Sequence, residues 1–512
     1  MNKKSLIRNL IYAFSAQGIS LILSVLMSMI VPKLLGVEDY SYWQLFIFYI
    51  GYVGFSHFGL TDGIYLRLGG SVYEELDYVK YKTQLVLSLL IQFSIAVVAL
   101  FVFSLVQIES MRMTVLSWTF IYMLIFNAAG YLGYIFQAVN QTRVYSISIM
   151  IDRIIFIGFV LIAIVIRGCS FRYYIIGYTF SKSVALIYCI IKAKELVFAK
   201  FRITFDVIKD MALSISIGAK LLFANIAGSL ILGIGRQIID SVWGITAFGR
   251  FSFSLSLTNF FLQFIGQVSM VLFPALRQTD KSKRNEIYSS LRDALGILLP
   301  IVFVAYYPMQ LIFGIWLPDY KESLSYIAVL LPLCTYDGKM QMLCNTYFKV
   351  LRKENFLLFI NAGAALISFI ICSFSAHVLG SITAVVYSMV LSVALRSIIS
   401  ELYLARIFNV AVDLRLGDTF GYAYGEFLSF ENQKQMLIPR GFSHGYLTLE
   451  EDTLMQWCVD NDFYGTAAKV VRYDSEFNWQ TNPWPVMEYI LSEKDKSAKS
   501  LQELAQCGLI KS

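Results

Sequence analysis

Several ionisable side chains interrupt long apolar runs, and these are the residues best placed to do chemistry. Asp152 and Arg153 are adjacent. Lys182 and Lys220 each break an apolar run. Arg236 precedes Asp240 by four residues, Asp337 and Lys339 lie two apart, and Arg396 stands alone. A charge at membrane depth is costly, so such groups face a partner or a water-filled cavity. Bases outnumber acids six to three in this set. A cavity lined this way attracts an anion such as a phosphate or an acidic sugar. The candidate substrate-binding residues are therefore Lys220, Arg236, Arg153, Lys182, Lys339, Arg396, Asp240 and Asp337. Lys220 leads, because a long, largely apolar stretch follows it. Structural readings stand beside these. Asp152/Arg153 and Arg236/Asp240 also read as ion pairs, the latter one helical turn apart. Lys182 and Arg396 also read as side chains that snorkel to a membrane surface.

Metal and nucleotide chemistry are not expected. Of the three histidines, His57 and His377 sit at the ends of apolar segments. The seven cysteines form no CxxC pair, so neither a zinc site nor a disulfide framework is read. GxxxxGK[ST] does not occur, which argues against direct drive by ATP. No cofactor is assigned.

The elements that must position these residues are membrane helices. Of 512 residues, 57% are hydrophobic and only 15% charged, with 40 Phe and 32 Tyr, and the mean hydropathy is +0.63. This excludes a disordered chain and an ordinary soluble protein, in which about 25% of residues are charged. Apolar stretches near 10–31, 43–60, 84–106, 113–136, 146–166, 173–191, 213–235, 251–273, 294–316, 324–346, 357–379 and 383–405 predict about twelve transmembrane helices. Lys3, Lys4 and Arg8 precede a run too long for the core of a cleavable signal, so it is read as the first span. With the N-terminus inside, 19 loop Lys and Arg fall inside and at most 7 outside. That bias predicts a cytoplasmic location for both termini.

The net charge of +7 is an average of two unlike parts. From Phe408 to Ser512 there are 9 basic and 15 acidic residues; the preceding 407 hold 33 and 20. The basic groups lie in membrane loops, so nucleic acid is not an expected partner. Within the apolar part a faint repeat runs at an offset near 210. Gly36-Val37-Glu38-Asp39-Tyr40 parallels Gly244-Ile245-Thr246-Ala247-Phe248, Leu66-Arg67 parallels Leu276-Arg277, and Tyr134-Ile135-Phe136-Gln137 parallels Thr346-Tyr347-Phe348-Lys349. Two six-helix halves follow, about 1–191 and 211–407, joined by a basic connector over 192–210. Pro300 and Pro332 fall inside spans, where they would kink them.

Val31-Pro32-Lys33-Leu34-Leu35-Gly36-Val37-Glu38-Asp39-Tyr40, Phe58-Gly59-Leu60-Thr61-Asp62-Gly63, Phe136-Gln137-Ala138 with Asn140 and Arg143, and Trp243 to Ser252 together resemble, in order and spacing, the motifs of polysaccharide flippases, over about residues 1–407. The resemblance is to O-antigen-type flippases of the multidrug/oligosaccharidyl-lipid/polysaccharide exporter superfamily. It implies two helical bundles around a cavity that opens to either side in turn. It further implies a bacterial inner-membrane location and an undecaprenyl-diphosphate-linked oligosaccharide as cargo, used for lipopolysaccharide or another surface polysaccharide. Polysaccharide polymerase and glycosyltransferases would be its partners.

The tail differs in texture. Short alternating segments and turn residues such as Pro439-Arg440-Gly441 replace the apolar runs, predicting a small antiparallel β domain with a final helix near 497–508. Phe408 to Arg415, Thr419-Phe420-Gly421, Ile438-Pro439-Arg440-Gly441-Phe442-Ser443-His444-Gly445 and Ile490 to Asp495 resemble dTDP-4-dehydrorhamnose 3,5-epimerase, a cupin-like jelly roll. The resemblance begins mid-domain, so 408–512 reads as a truncated, partial jelly roll. The family's Arg-Gly-Leu-His motif, bearing the catalytic base, is missing. His444 matches a sugar-nucleotide-binding histidine, Tyr464 a late tyrosine, and Asp495 the aspartate that orients the absent base. The position of the proposed general acid is taken by Cys458. Epimerisation beside a carbonyl needs a base to remove a carbon-bound proton, so the resemblance implies remnant residues and not a working enzyme; an intact epimerase would be a partner. Two alternatives stay open: a membrane-tethered epimerase or sugar-nucleotide-binding module, and a drug or small-molecule antiporter.

Overall fold

The computed structural model describes residues 3–166, 170–278, 284–351 and 353–408, with 497–499 and 503 of the tail. The chain divides into two compact units, residues 1–410 and 411–512. The strands predicted over 409–459, most of the final helix, and His444, Tyr464 and Asp495 lie outside the described residues.

The first unit is helical throughout. Helices α1 (Lys3–Met29), α2 (Val31–Ile50), α3 (Leu60–Leu68), α4 (Tyr78–Leu105), α5 (Ser110–Ala138), α6 (Thr142–Ile166) and α7 (Phe171–Lys192) form the first half. After the short α8 (Lys194–Val197) come α9 (Phe205–Gln278), α10 (Arg284–Leu298), α11 (Tyr306–Trp316), α12 (Lys321–Leu330), α13 (Pro332–Lys339), α14 (Asn345–Val350), α15 (Glu354–His377) and α16 (Ile382–Phe408). In the first half α6 packs on α1 and α7, and α5 on α4 and α7. In the second, α15 packs on α9 and α16. The halves meet where α2 and α3 lie against α9.

Among the described residues, eight helices are long and apolar enough to cross a membrane, or nine if the bent pair α1–α2 counts as one. One of the eight covers Phe205–Gln263. At 1.5 Å per residue it is about 88 Å of helix, too long for one crossing of about 30 Å of hydrocarbon, and its break at Gly244 divides it in two. The described part of the first unit is all-α, and the chain is a multi-pass membrane protein. Large apolar side chains point outward, as lipid contact requires: Val98, Phe101 and Leu105 on α4 are more than 60% exposed.

The breaks have local causes. The second segment is not 43–60 as predicted. It runs from Val31 to Leu68 as α2, a 3-10 turn at Val53–His57, and α3. Phe58 and Gly59 both take left-handed backbone, φ 54° and 89°, which no helix continues through. Pro300 opens a 3-10 stretch between α10 and α11, and Pro332 starts α13. Each lacks the N–H that an unbroken helix would need. A π turn over Met340–Cys344 follows α13. The glycines that head the sequence repeat share one conformation: Gly36 has φ 69° and ψ 177°, Gly244 φ 81° and ψ −179°. That region is open essentially to glycine alone. Each glycine bends its chain where one membrane pass gives way to the next.

Candidate functional site

The predicted charged residues do not gather in one cavity. They fall into two buried centres, one in each half, and a group at the seam between halves.

The first centre joins α6 to α7. Asp152, 2% exposed, accepts from Ser181 Oγ at 3.0 Å and from Lys182 Nζ at 3.3 Å. Lys182 also lies over the Phe126 ring. Arg153 does not pair with its neighbour Asp152; its Nη1 donates to Tyr178 Oη at 3.2 Å. Adjacent residues on a helix point about 100° apart, so the two meet different parts of α7, Asp152 at Ser181 and Lys182 and Arg153 at the Tyr178 hydroxyl. Trp43, Phe46, Phe156 and Tyr122 pack around Tyr178 and give this half its aromatic core.

The second centre joins α13 to α16. Arg396 is ion-paired with Asp337, and Lys339 with Glu401 at 3.5 Å. Arg396 and Lys339 are 7% and 5% exposed, too deep to snorkel. Gln341 Nε2 donates to Asp337 at 2.6 Å. A cavity of about 390 Å³ opens beside this centre, lined by Asn225, Ser229, Asp337, Asn345, Asn361 and Arg396 among others. Gln341, within the π turn, and Asn345, four residues on, reach the same wall. Arg396 Nε, Asn345 Oδ1 and Asn361 Oδ1 are buried without a hydrogen-bond partner among the described residues. Three polar groups and one ion pair at membrane depth make this a hydrophilic chamber.

At the seam the predicted Arg236–Asp240 pair does not form. Both Asp240 oxygens accept from Arg112 at 2.6 Å, the planar fork matching the carboxylate. Arg112 lies in the first turn of α5. Arg236 instead lies over two rings, Phe48 of the first half at 4.7 Å and Phe248 of the second at 5.0 Å. It donates to Ser252 Oγ at 3.0 Å. No acid among the described residues pairs with it. An arginine held by ring faces keeps hydrogen-bonding capacity for an anion. Lys220 is exposed on α9, with no ion pair to a described residue.

The predicted surplus of base is therefore smaller than the count of six to three suggests. Lys182, Lys339 and Arg396 are neutralised by Asp152, Glu401 and Asp337. Arg153, Arg236 and Lys220 remain without an acid among the described residues. Hydropathy missed Arg112, Glu401 and the asparagines, because a polar residue near a helix end, or an uncharged one within it, carries no distinct signal.

Comparison with known proteins adds three findings. Residues 6–280 match the family of polysaccharide biosynthesis proteins, and residues 402–503 match dTDP-4-dehydrorhamnose 3,5-epimerase. Among curated proteins, the epimerase of Sinorhizobium fredii is 40% identical over 104 residues, 19% of this chain and 50% of that protein. The chain thus spans about half the length of the curated relatives it matches. Among solved structures, the lipid II flippase MurJ in an inward closed conformation has a TM-score of 0.58 at 12% identity, covering 81% of this chain and 90% of that one. A multidrug resistance MATE family transporter of the MOP superfamily, inward-facing, has a TM-score of 0.53 at 12% identity, covering 76% and 98%. These two show the fold.

Proposed function

The chain belongs to the family of polysaccharide biosynthesis proteins, and from that premise we propose that its first 407 residues flip a lipid-linked oligosaccharide across the bacterial inner membrane. The cargo would carry an undecaprenyl-diphosphate headgroup, and transport would proceed by alternating access between the two halves, with both termini in the cytoplasm. The observation that carries this reading is Arg236, a guanidinium at the seam between halves that is held by Phe48 and Phe248 instead of an acid. A diphosphate passing between the halves would supply the missing anion, in the bidentate geometry arginine favours. Lys220 and Arg153 are the other substrate cations; the Asp337–Arg396 centre serves the second half as a polar chamber.

The test is complementation of a flippase-deleted bacterium by the full chain. Restored surface polysaccharide supports the proposal. No restoration together with gained drug resistance favours the antiporter.

The match over 402–503 favours a second reading for the tail, taken here to begin at 408: an epimerase or sugar-nucleotide module tethered to the membrane. We hold instead that the tail is catalytically silent, with His444, Tyr464 and Asp495 as remnants, because no residue supplies the base.

A further inference from the structure

One helix face on α3 meets one on α9 in a matched ladder. Gly59 caps the first, and Gly63 and Arg67 follow on it at four-residue spacing; Asp210, Ser214 and Gly218 lie four apart on the second. The two run in opposite directions. A Cβ at Gly59 would come within 2.6 Å of the Ala219 backbone, and one at Gly63 would overlap the Ser214 carbonyl. Only small residues allow backbones this close. At the end of the ladder, Arg67 donates to Asp210 Oδ1 at 2.6 Å and to Ser214 Oγ at 2.6 Å. From α4, Gln84 donates to Asp210 Oδ2 at 2.9 Å and Lys80 lies 3.7 Å from Oδ1. Three side chains of the first half thus hold one acid at the start of α9.

The same helix α9 carries a second acid thirty residues on, Asp240, about 45 Å away. It too is held by an arginine of the first half, Arg112. Between the two ends, Tyr52 Oη bonds the Ser229 carbonyl at 3.4 Å, and its hydroxyl lies against Gly233.

We propose that α9 is a lever carrying both latches of the transport cleft, Arg67–Asp210 at the α3 end and Arg112–Asp240 at the α5 end. This rests on the transport reading above, and it says which contacts break in each half-cycle. The backbone of α9 stays helical up to Gly244, so the segment from Asp210 to Asp240 moves as one rod, and pivoting near Tyr52 it cannot leave both ends at once without losing its central packing. Separation at one end presses the other together. The two latches therefore open alternately, and the state seen here, with both engaged, is the closed intermediate between them. Each arginine released from its acid is exposed to the cleft at the moment that end opens.

The experiment is hydrogen–deuterium exchange of the full chain in lipid nanodiscs, with no substrate present. Local exchange follows local opening, so Asp210→Asn is expected to speed exchange about tenfold in peptides 56–68 and 206–220. Peptides 108–118 and 236–250 should exchange more slowly than in the wild type, because a rod that opens at one end is pressed together at the other; an unchanged rate there would mean two independent ion pairs and overturn the lever. Arg112→Gln is expected to give the reverse pattern. Gly63→Val forces the α3–α9 crossing apart without removing a charge, and must reproduce the Asp210→Asn pattern; a misfolding effect peculiar to Asp210 would not be repeated by it. Acceleration at both ends in every variant, or at neither, overturns the proposal. Because exchange is read without cargo, failed complementation would sink the flippase reading and leave the latches standing. Complementation with unmoved exchange would do the opposite.

Discussion

Replacing Asp337 by Asn leaves the Arg396 guanidinium buried without its carboxylate. The Arg396 side chain is 8% exposed and that of Asp337 19%, so water screens the pair only weakly. Breaking a buried ion pair by removing one partner costs about 3–5 kcal/mol, and the partial exposure of Asp337 places this pair near 3. That is more than a hundredfold in the unfolding equilibrium. Arg396→Gln leaves the carboxylate with Gln341 alone and should cost about the same. The double variant Asp337→Asn/Arg396→Gln buries no charge, and its two amides can still hydrogen-bond. It should cost no more than either single change, a coupling of about 3 kcal/mol, the top of the range for residues in direct contact. The assay is unfolding of the purified full chain in mixed micelles by titration with denaturing detergent, all four proteins side by side. If the double variant loses the sum of the two singles, the side chains act independently and the centre described here is not an ion pair in solution.

Gly36→Ala and Gly244→Ala should each cost about 1–3 kcal/mol by the same unfolding assay, because the backbone there is closed to L side chains. No atom lies within 4 Å of the Cβ either would gain, so local strain and not crowding would be the cause. Arg236→Gln should lower flippase activity about tenfold to a hundredfold at unchanged expression, the worth of one charged hydrogen bond to phosphate. Arg236→Lys should recover part of that in the complementation assay, by keeping the charge and losing the fork. Full chain incubated with dTDP-4-keto-6-deoxyglucose in deuterated water should place no deuterium at C3 or C5; uptake at either carbon would show that the tail works as an enzyme.

Much of the architecture was legible in the residues, for a simple reason. A lipid environment forces every backbone group into an internal hydrogen bond, so a run of about twenty apolar residues has one outcome. The repeat was legible too, and most clearly at its glycines. Gly36 and Gly244 bend their chains with nearly the same φ and ψ, and a backbone need of that kind is written as a residue type. Pro300 and Pro332 mark breaks for the same reason. The bounds of the second segment were not legible, because its breaks at Phe58 and Gly59 depend on dihedral angles that no apolar count reports.

The choice of charged partners was another matter. Spacing alone offered Arg236 to Asp240 and Arg153 to Asp152, since each pair is close along the chain. Tertiary packing gave Asp240 to Arg112, 128 residues away, and Asp152 to Lys182, thirty away. The ladder of Gly59, Gly63 and Arg67 against Gly218, Ser214 and Asp210 was present in the letters as two runs of four-residue spacing, but nothing in either run names the other. By itself, then, the sequence determined that the chain spans a membrane and, at Gly36, Gly244, Pro300 and Pro332, where its helices bend or break, because solvent and backbone act on each residue locally. Only the tertiary structure decided which acid each base meets, because in a low-dielectric interior a charge is satisfied by whatever packing brings within about 3 Å, however distant along the chain.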